Sequence, residues 1–253
     1  ARLAIDPAVV VKLDGSYIDV SQGAQLIAEG RDGFEVVMTS IIDDRYGAGG
    51  TFDTSNDSDT SQPSAGDWAG VFVGHTSDAS IDYGFIAFAG GVTKVEGSFT
   101  AFNALEIHQA TARVTHTTFT NNANGRGGQA PDDRFGRGFN APGTIFVRGA
   151  QPILVDNVIR DGEGPAININ PAALNSDLIV DYGRSTGNVD LITGHDDNQG
   201  PLIRENRLGD NAVNGMVVRG EILNTQSVWD DTDIVHVVYE EIIVPDFHTS
   251  GGL

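Results

Sequence analysis

Carboxylates are densest in residues 41–65, a stretch rich in Gly, Asp, Ser and Thr. It carries Asp43, Asp44, Asp53, Asn56, Asp57 and Asp59, and Asp67 follows just beyond it. Alternation such as Asp57-x-Asp59 lets one loop turn several oxygens toward a common point, as a hard cation with about six to eight oxygen ligands requires. Asp43, Asp53, Asp57, Asp59 and Asp67 are therefore a candidate calcium set; the alternative is a solvated acidic loop. A second cluster, Gly194-His195-Asp196-Asp197, puts an imidazole beside two carboxylates. Neighbours in one loop cannot by themselves flank a glycosidic bond at the ~5 to 9.5 Å that two catalytic carboxylates need, so a turn with a capping Asp is expected there. His236, within Ile234-Val235-His236-Val237-Val238-Tyr239, is expected to point outward from an alternating strand. No Ser-His-Asp arrangement, phosphate-cradling glycine loop or zinc spacing is present, and no catalytic residue is assigned. Trp68 and Trp229 are too few and too far apart in sequence to make a sugar-stacking platform.

The charge balance narrows the partners. Thirty-five acidic against 15 basic side chains give a formal net charge of −20, and lysine occurs only as Lys12 and Lys94. A field of that sign repels phosphate backbones and anionic lipid, so nucleic acid is not an expected partner, while divalent cations are attracted. The same acid also keeps a protein soluble with no ligand at all. The absence of cysteine removes disulfides, thiolate metal sites and Cys nucleophiles together. No apolar run approaches the ~18 residues of a membrane span, so membrane insertion is not expected. The chain opens Ala1-Arg2-Leu3, without Met or the apolar segment of a signal peptide, as a processed protein or a piece of a longer one would.

The elements that must hold these groups are strands. Short runs rich in Val, Ile, Phe and Thr, bounded by Gly, Asn and Asp, recur at 9–13, 17–20, 25–28, 36–39, 71–73, 81–88 and 105–107. The best helical candidate, 171–174, is one turn long. A repeat decides which all-β protein this is. When 108–121 is set over 148–161, Val114 falls on Leu154, Phe119 on Ile159 and Asn121 on Asp161. A third copy, from Pro201, places Asn206 on Asn157 and Leu208 on Ile159. Each copy is flanked by a second short strand: Leu105-Glu106-Ile107-His108, Ile145-Phe146-Val147-Arg148 and Met216-Val217-Val218-Arg219. Such copies cannot bury their apolar side alone, so they stack at the ~4.8 Å spacing of hydrogen-bonded strands. Inward residues then form columns, Ile107, Val147 and Val218 in one and Phe119, Ile159 and Leu208 in another. Asn157 and Asn206 share a turn position where amides can bond to each other up the stack. One domain over 1–253 is expected, with loop insertions near 41–65, 124–142 and 175–200.

Three segments carry a family resemblance. Gly66-Asp67-Trp68-Ala69-Gly70-Val71 resembles the Gly-Asp-Trp-x-Gly-Ile turn of parallel β-helix repeat domains in large bacterial surface proteins. So do Ile81-Asp82-Tyr83-Gly84-Phe85-Ile86-Ala87-Phe88-Ala89-Gly90-Gly91 and the opening Ile5-Asp6-Pro7-Ala8-Val9-Val10-Val11-Lys12. With the repeats, these cover most of 1–223, and the whole is similar to modules of giant secreted proteins of planctomycete-like bacteria. The resemblance implies an all-β, single-stranded right-handed parallel β-helix, a pectate-lyase-like solenoid with long loop insertions. The fold alone does not set a function. Segment 53–59 also echoes an EF-hand start, but Ser58 and Ser64 stand where that loop needs its glycine and its glutamate, so it is not one. Polygalacturonases, similar in fold, use Asp pairs and a Gly-His motif drawn from separate coils, whereas here Gly194-His195-Asp196-Asp197 is contiguous. Pectate lyases join a calcium cluster to a basic residue. His108, Arg148 and Arg219 form one outward column that could grip an acidic sugar, or else shield a solvated sheet face by pairing with Glu106, Glu205 or Glu221.

The expected function is a non-enzymatic structural or adhesive module of a secreted or cell-surface protein, calcium-stabilised if the acidic loop binds an ion. The alternatives are a lyase or hydrolase of acidic polysaccharide and a carbohydrate-binding adhesin. Neither terminus shows an amphipathic helix to cover an open rung, and 234–244 is among the strongest β stretches in the chain. The ends are therefore expected to join neighbouring modules or copies of the chain head to tail.

Overall fold

The computed structural model describes residues 1–58, 60–125, 134, 138–183 and 191–246. The chain is all-β, and its strands stack into three long parallel sheets that it visits in rotation. The first sheet runs Arg2–Ile5, Gln25–Glu29, Asp78–Asp82, Thr111–Thr115, Ile153–Val155 and Leu202–Arg204. The second runs Val10–Leu13, Val36–Ser40, Gly84–Ala87, Thr118–Thr120, Val158–Arg160 and Arg207–Gly209. The third runs Tyr17–Val20, Gly70–Val73, Leu105–His108, Ile145–Arg148, Pro165–Ile169, Val213–Val218 and His236–Val238. Each strand thus lies beside the same-sheet strand of the circuit before it. The architecture is solenoid-like.

The columns read from the repeats hold in register. Phe119 pairs with Ile159, and Ile159 with Leu208; Val114 pairs with Leu154. Ile107, Val147 and Val218 share a column, but Ile169 stands between the last two, on the strand Pro165–Ile169 that the strand pattern did not reveal. These residues belong to one continuous apolar core. Asn157 Nδ2 donates to Asn206 Oδ1 at 2.9 Å, so the expected amide ladder is present.

Several local expectations are corrected. The run 81–88 is two strands broken at Tyr83, whose φ of +45° turns the chain from the first sheet to the second. His116, Asp156 and Glu205 turn the same corner one circuit after another, each at positive φ. The left-handed conformation costs about 1–2 kcal/mol per non-glycine residue. Stacking of the Tyr83 and His116 rings, centroids 4.6 Å apart, offsets part of that cost. Segment 92–101 adds an antiparallel pair, Val92–Val95 with Ser98–Ala101. The helical candidate at 171–174 is a single 3-10 turn, Pro171–Ala173. Of the β-rich 234–244, only His236–Val238 is strand, and its register with Met216 turns His236 inward, onto Trp229 at 5.1 Å.

Insertions leave at preferred corners. Residues 41–69, the antiparallel pair and 121–144 all intervene between the second sheet and the third, whereas 170–201 intervenes between the third and the first. Trp68, fully buried, pins the first of these by donating its Nε1–H to the Ala87 carbonyl at 2.8 Å. At Gly90 (φ +90°) a Cβ would lie 2.4 Å from the Ala123 carbonyl oxygen, so the close approach of these turns requires glycine.

Candidate functional site

The acidic loop divides its carboxylates between two tasks. Asp43 is buried, accepting from Arg45 Nε at 2.7 Å and from Thr39 Oγ1 at 2.6 Å. Burial pushes its carboxyl up, but these bonds outweigh it and hold the group below the ordinary range. Asp67 accepts the Ser64 N–H at 3.0 Å and closes a turn. Neither joins the others. Asp44, Asp53 and Asp57 do converge, each offering a carboxylate oxygen within 4.8 Å of the other two. Asp53 is oriented by the Ser58 and Asp57 N–H groups, at 2.9 and 3.1 Å. Lys12 Nζ stands 3.8 Å from Asp44 and donates to the Phe52 carbonyl. Two of the five expected ligands, Asp53 and Asp57, are thus brought together, with Asp44 as the third. Asp59 lies outside the described residues.

The basic column of the third sheet is an outward row, but its face is not solvated. His108 is buried, its ring 4.9 Å from Phe72 and 5.2 Å from Phe146, and it bonds Glu106 at 2.8 Å. Glu106, wholly buried, also accepts from the Asn103 N–H, Asn140 and Arg134. Burial pushes the Glu106 carboxyl up; the bonds and charges of His108 and Arg134 prevail and hold it low. The inserted loops therefore cover this face with a small polar and aromatic core. Arg219 lies 4.5 Å over the Phe146 ring and donates to the Val147 carbonyl at 2.9 Å. Arg148 is partly exposed and shares a shallow pocket with Arg219, Asn170, Phe139, Glu221 and Glu240. The three basic residues do not converge.

Gly194-His195-Asp196-Asp197 forms a turn, closed by the Asn198 N–H on the His195 carbonyl at 3.2 Å.

The face that strand signals alone did not single out is the outer side of the first sheet. Register places Gln25, Asp78 and Thr111 in one row, Ile27, Ser80 and Arg113 in the next, and Glu29, Asp82 and Thr115 in a third. Ser80 Oγ donates to Glu29 at 2.7 Å. Asp82 accepts from Thr115 Oγ1 at 2.6 Å and pairs with His116 Nδ1 at 2.9 Å, a bond that raises the His116 pKa. Arg113, fully buried, grips Asp181 through Nε at 2.8 Å and Nη2 at 2.9 Å. That pair bolts the 170–201 insertion to the sheet, where Ile179 and Ile192 pack on Ile153, Val155 and Leu202. Beside it a shallow trough of about 300 Å³ remains, lined by Gln25, Ile27, Asp78, Ser80, Thr111 and the exposed Tyr182, among others. A polar residue at every second position of 78–82 and 111–115 was the available signal.

Comparison with protein-family models, with curated proteins and with solved structures finds no match to this chain. Among the described residues, no helix is long and apolar enough to cross a membrane.

Proposed function

We propose that the chain is a right-handed parallel β-helix, built like the pectate-lyase-like repeat domains of large bacterial surface proteins. It serves outside the cell as a structural or adhesive module and not as an enzyme. One observation carries this reading: several ionisable groups on the outer sheet faces are already spent in holding the stack together and fastening insertions to it. Glu106 is held by His108 and Arg134, Arg113 by Asp181, and Asp82 by Thr115 and His116. A lyase or hydrolase instead needs acid and base groups aimed at substrate from adjacent circuits. Neighbouring modules attach where strand edges are open, as among the described residues on one side of Arg2–Ile5, Val10–Leu13 and Tyr17–Val20. The Asp44, Asp53 and Asp57 oxygens take calcium and stiffen the first insertion.

A second reading, a carbohydrate-binding adhesin, is favoured by the trough on the first sheet. Its polar side chains repeat at the strand spacing of about 4.8 Å, close to the rise of one pyranose in an extended glycan, and an exposed Tyr182 stands at its rim. A glycan array, run with an assay for the ultraviolet absorbance of unsaturated uronate products, tests both. Glycan retention that is lost in Tyr182→Ala supports the adhesin. Product formation from any acidic polysaccharide overturns the non-enzymatic reading.

A further inference from the structure

Among the described residues, the last strand of the first sheet, Leu202–Arg204, has one neighbour, Ile153–Val155. In a parallel ladder, alternate residues address opposite sides. The Leu202 N–H donates to the Pro152 carbonyl at 3.0 Å, and the Arg204 carbonyl accepts from the Asp156 N–H at 3.1 Å, so both face the preceding circuit. Ile203 and Glu205 face the side where a further strand would lie. There the Ile203 N–H donates to Asp231 Oδ1 at 3.2 Å, and the Glu205 N–H donates to Asp233 Oδ2. Asp231 and Asp233 are two residues apart, as are the amides they receive. Two side-chain carboxylates thus take the places of two carbonyls of an absent strand.

The acceptor side is treated likewise. The Ile203 carbonyl accepts from Arg204 Nη1 at 3.1 Å, and the same nitrogen holds Asp231 Oδ1 at 2.7 Å. Arg204 Nη2 donates to the Asp230 carbonyl at 2.8 Å, and Asp230 Oδ2 accepts the Gln199 N–H at 2.7 Å. Beneath this segment the core column of Met216 ends in His236, stacked on Trp229. The expectation that this end lies uncovered is therefore corrected for the first sheet. The opposite edge of the same sheet differs: among the described residues Arg2–Ile5 pairs on one side only, and the Gln25 N–H on the Ala1 carbonyl leaves Arg2 and Ala4 facing away.

We propose that residues 230–233 are a side-chain mimic of a strand, closing this end of the first sheet against a second copy of the chain, whose Arg2–Ile5 would otherwise extend it. Open edges template further pairing. A side-chain oxygen satisfies an N–H but carries no backbone N–H or C=O onward to a next strand, so the ladder stops. The inference rests on the stacked parallel strands alone, so turnover of a polysaccharide would defeat the proposed function and leave it untouched.

The test compares Asp231→Ala/Asp233→Ala with the isosteric Asp231→Asn/Asp233→Asn by size exclusion with light scattering and by electron microscopy, across a concentration series. The wild type and the Asn pair are expected as one species throughout, and the folded Ala pair as elongated oligomers. Ala4→Pro, which removes an outward N–H from the opposite edge, is expected to return the Ala pair to single particles. A folded Ala pair with the wild-type mass, oligomers indifferent to Ala4→Pro, or a wild type that already forms such oligomers would each overturn the proposal. If the Ala pair does not fold, amide exchange decides. Protection of the Ile203 and Glu205 amides in the wild type and the Asn pair supports the mimic, and loop-like exchange there refutes it.

Discussion

Asn157→Ala removes the middle of the amide ladder, and its cost can be worked bond by bond. Asn157 is fully buried at the corner between the first and second sheets. Its Oδ1 accepts the Thr117 N–H at 3.0 Å, and its Nδ2 donates to the Val114 carbonyl at 2.9 Å and to Asn206 Oδ1 at 2.9 Å. Asn206 Oδ1 keeps the Asn157 backbone N–H at 3.1 Å, so it is not orphaned. The buried Thr117 N–H loses its partner, at about 1–3 kcal/mol, while the Val114 carbonyl keeps the Val155 N–H of the parallel ladder; with the lost amide–amide bond this gives about 3 kcal/mol for the substitution. Asn206→Ala breaks a similar set of bonds, but Asn206 is half-buried and water can replace them, so about 1–2 kcal/mol is expected. Urea unfolding followed by far-ultraviolet circular dichroism, with linear extrapolation to water, measures both. The ladder reasoning fails if Asn157→Ala costs less than ~1 kcal/mol, or if Asn206→Ala costs as much.

Phe119→Ala and Ile159→Ala, which truncate adjacent rungs of one core column, should each cost about 2–5 kcal/mol in the same assay, while Arg148→Ala on the outer face should cost under ~1 kcal/mol. Asp181→Ala should cost about 3 kcal/mol, because it removes the carboxylate that accepts two bonds from the fully buried Arg113. Burial pushes the Asp181 carboxyl up, yet the bonds from Arg113, Ile192 and Gly183 outweigh it, so its folded pKa lies below the unfolded one. Its contribution is therefore complete above the unfolded pKa of about 3.9 and lost as pH falls through the folded value; Asp181→Asn should flatten that acid limb in a melting series. If Asp44, Asp53 and Asp57 bind calcium, a hundredfold excess over Kd should stabilise the fold by ~2.7 kcal/mol, and Asp53→Asn should weaken the effect. A melting temperature unmoved by chelator would remove calcium from the account.

The periodicity of this chain by itself determined the all-β class, the two core columns and the asparagine ladder. All of them follow from one rule: strands stacked in register place equivalent residues directly above one another, so a repeat in sequence becomes a column in space. The strand Pro165–Ile169 escaped because it closes a short circuit that follows Arg160 with little more than a turn between, and its Pro and Asn residues resemble a loop. What covers each face was not legible at all. His108 and Arg148 sit at one register position, yet His108 is buried because an insertion from elsewhere brings Arg134 and Asn140 over Glu106 beside it. In the same way, nothing in Asp43 and Asp44 as neighbours says that one is consumed by Arg45 while the other faces Asp53 and Asp57. The Arg113–Asp181 pair joins residues 68 positions apart, and the closure of Leu202–Arg204 by Asp231 and Asp233 spans nearly 30. Local pattern sets where a side chain points relative to its own strand. Only the tertiary path of the loops decides whether water or protein waits there.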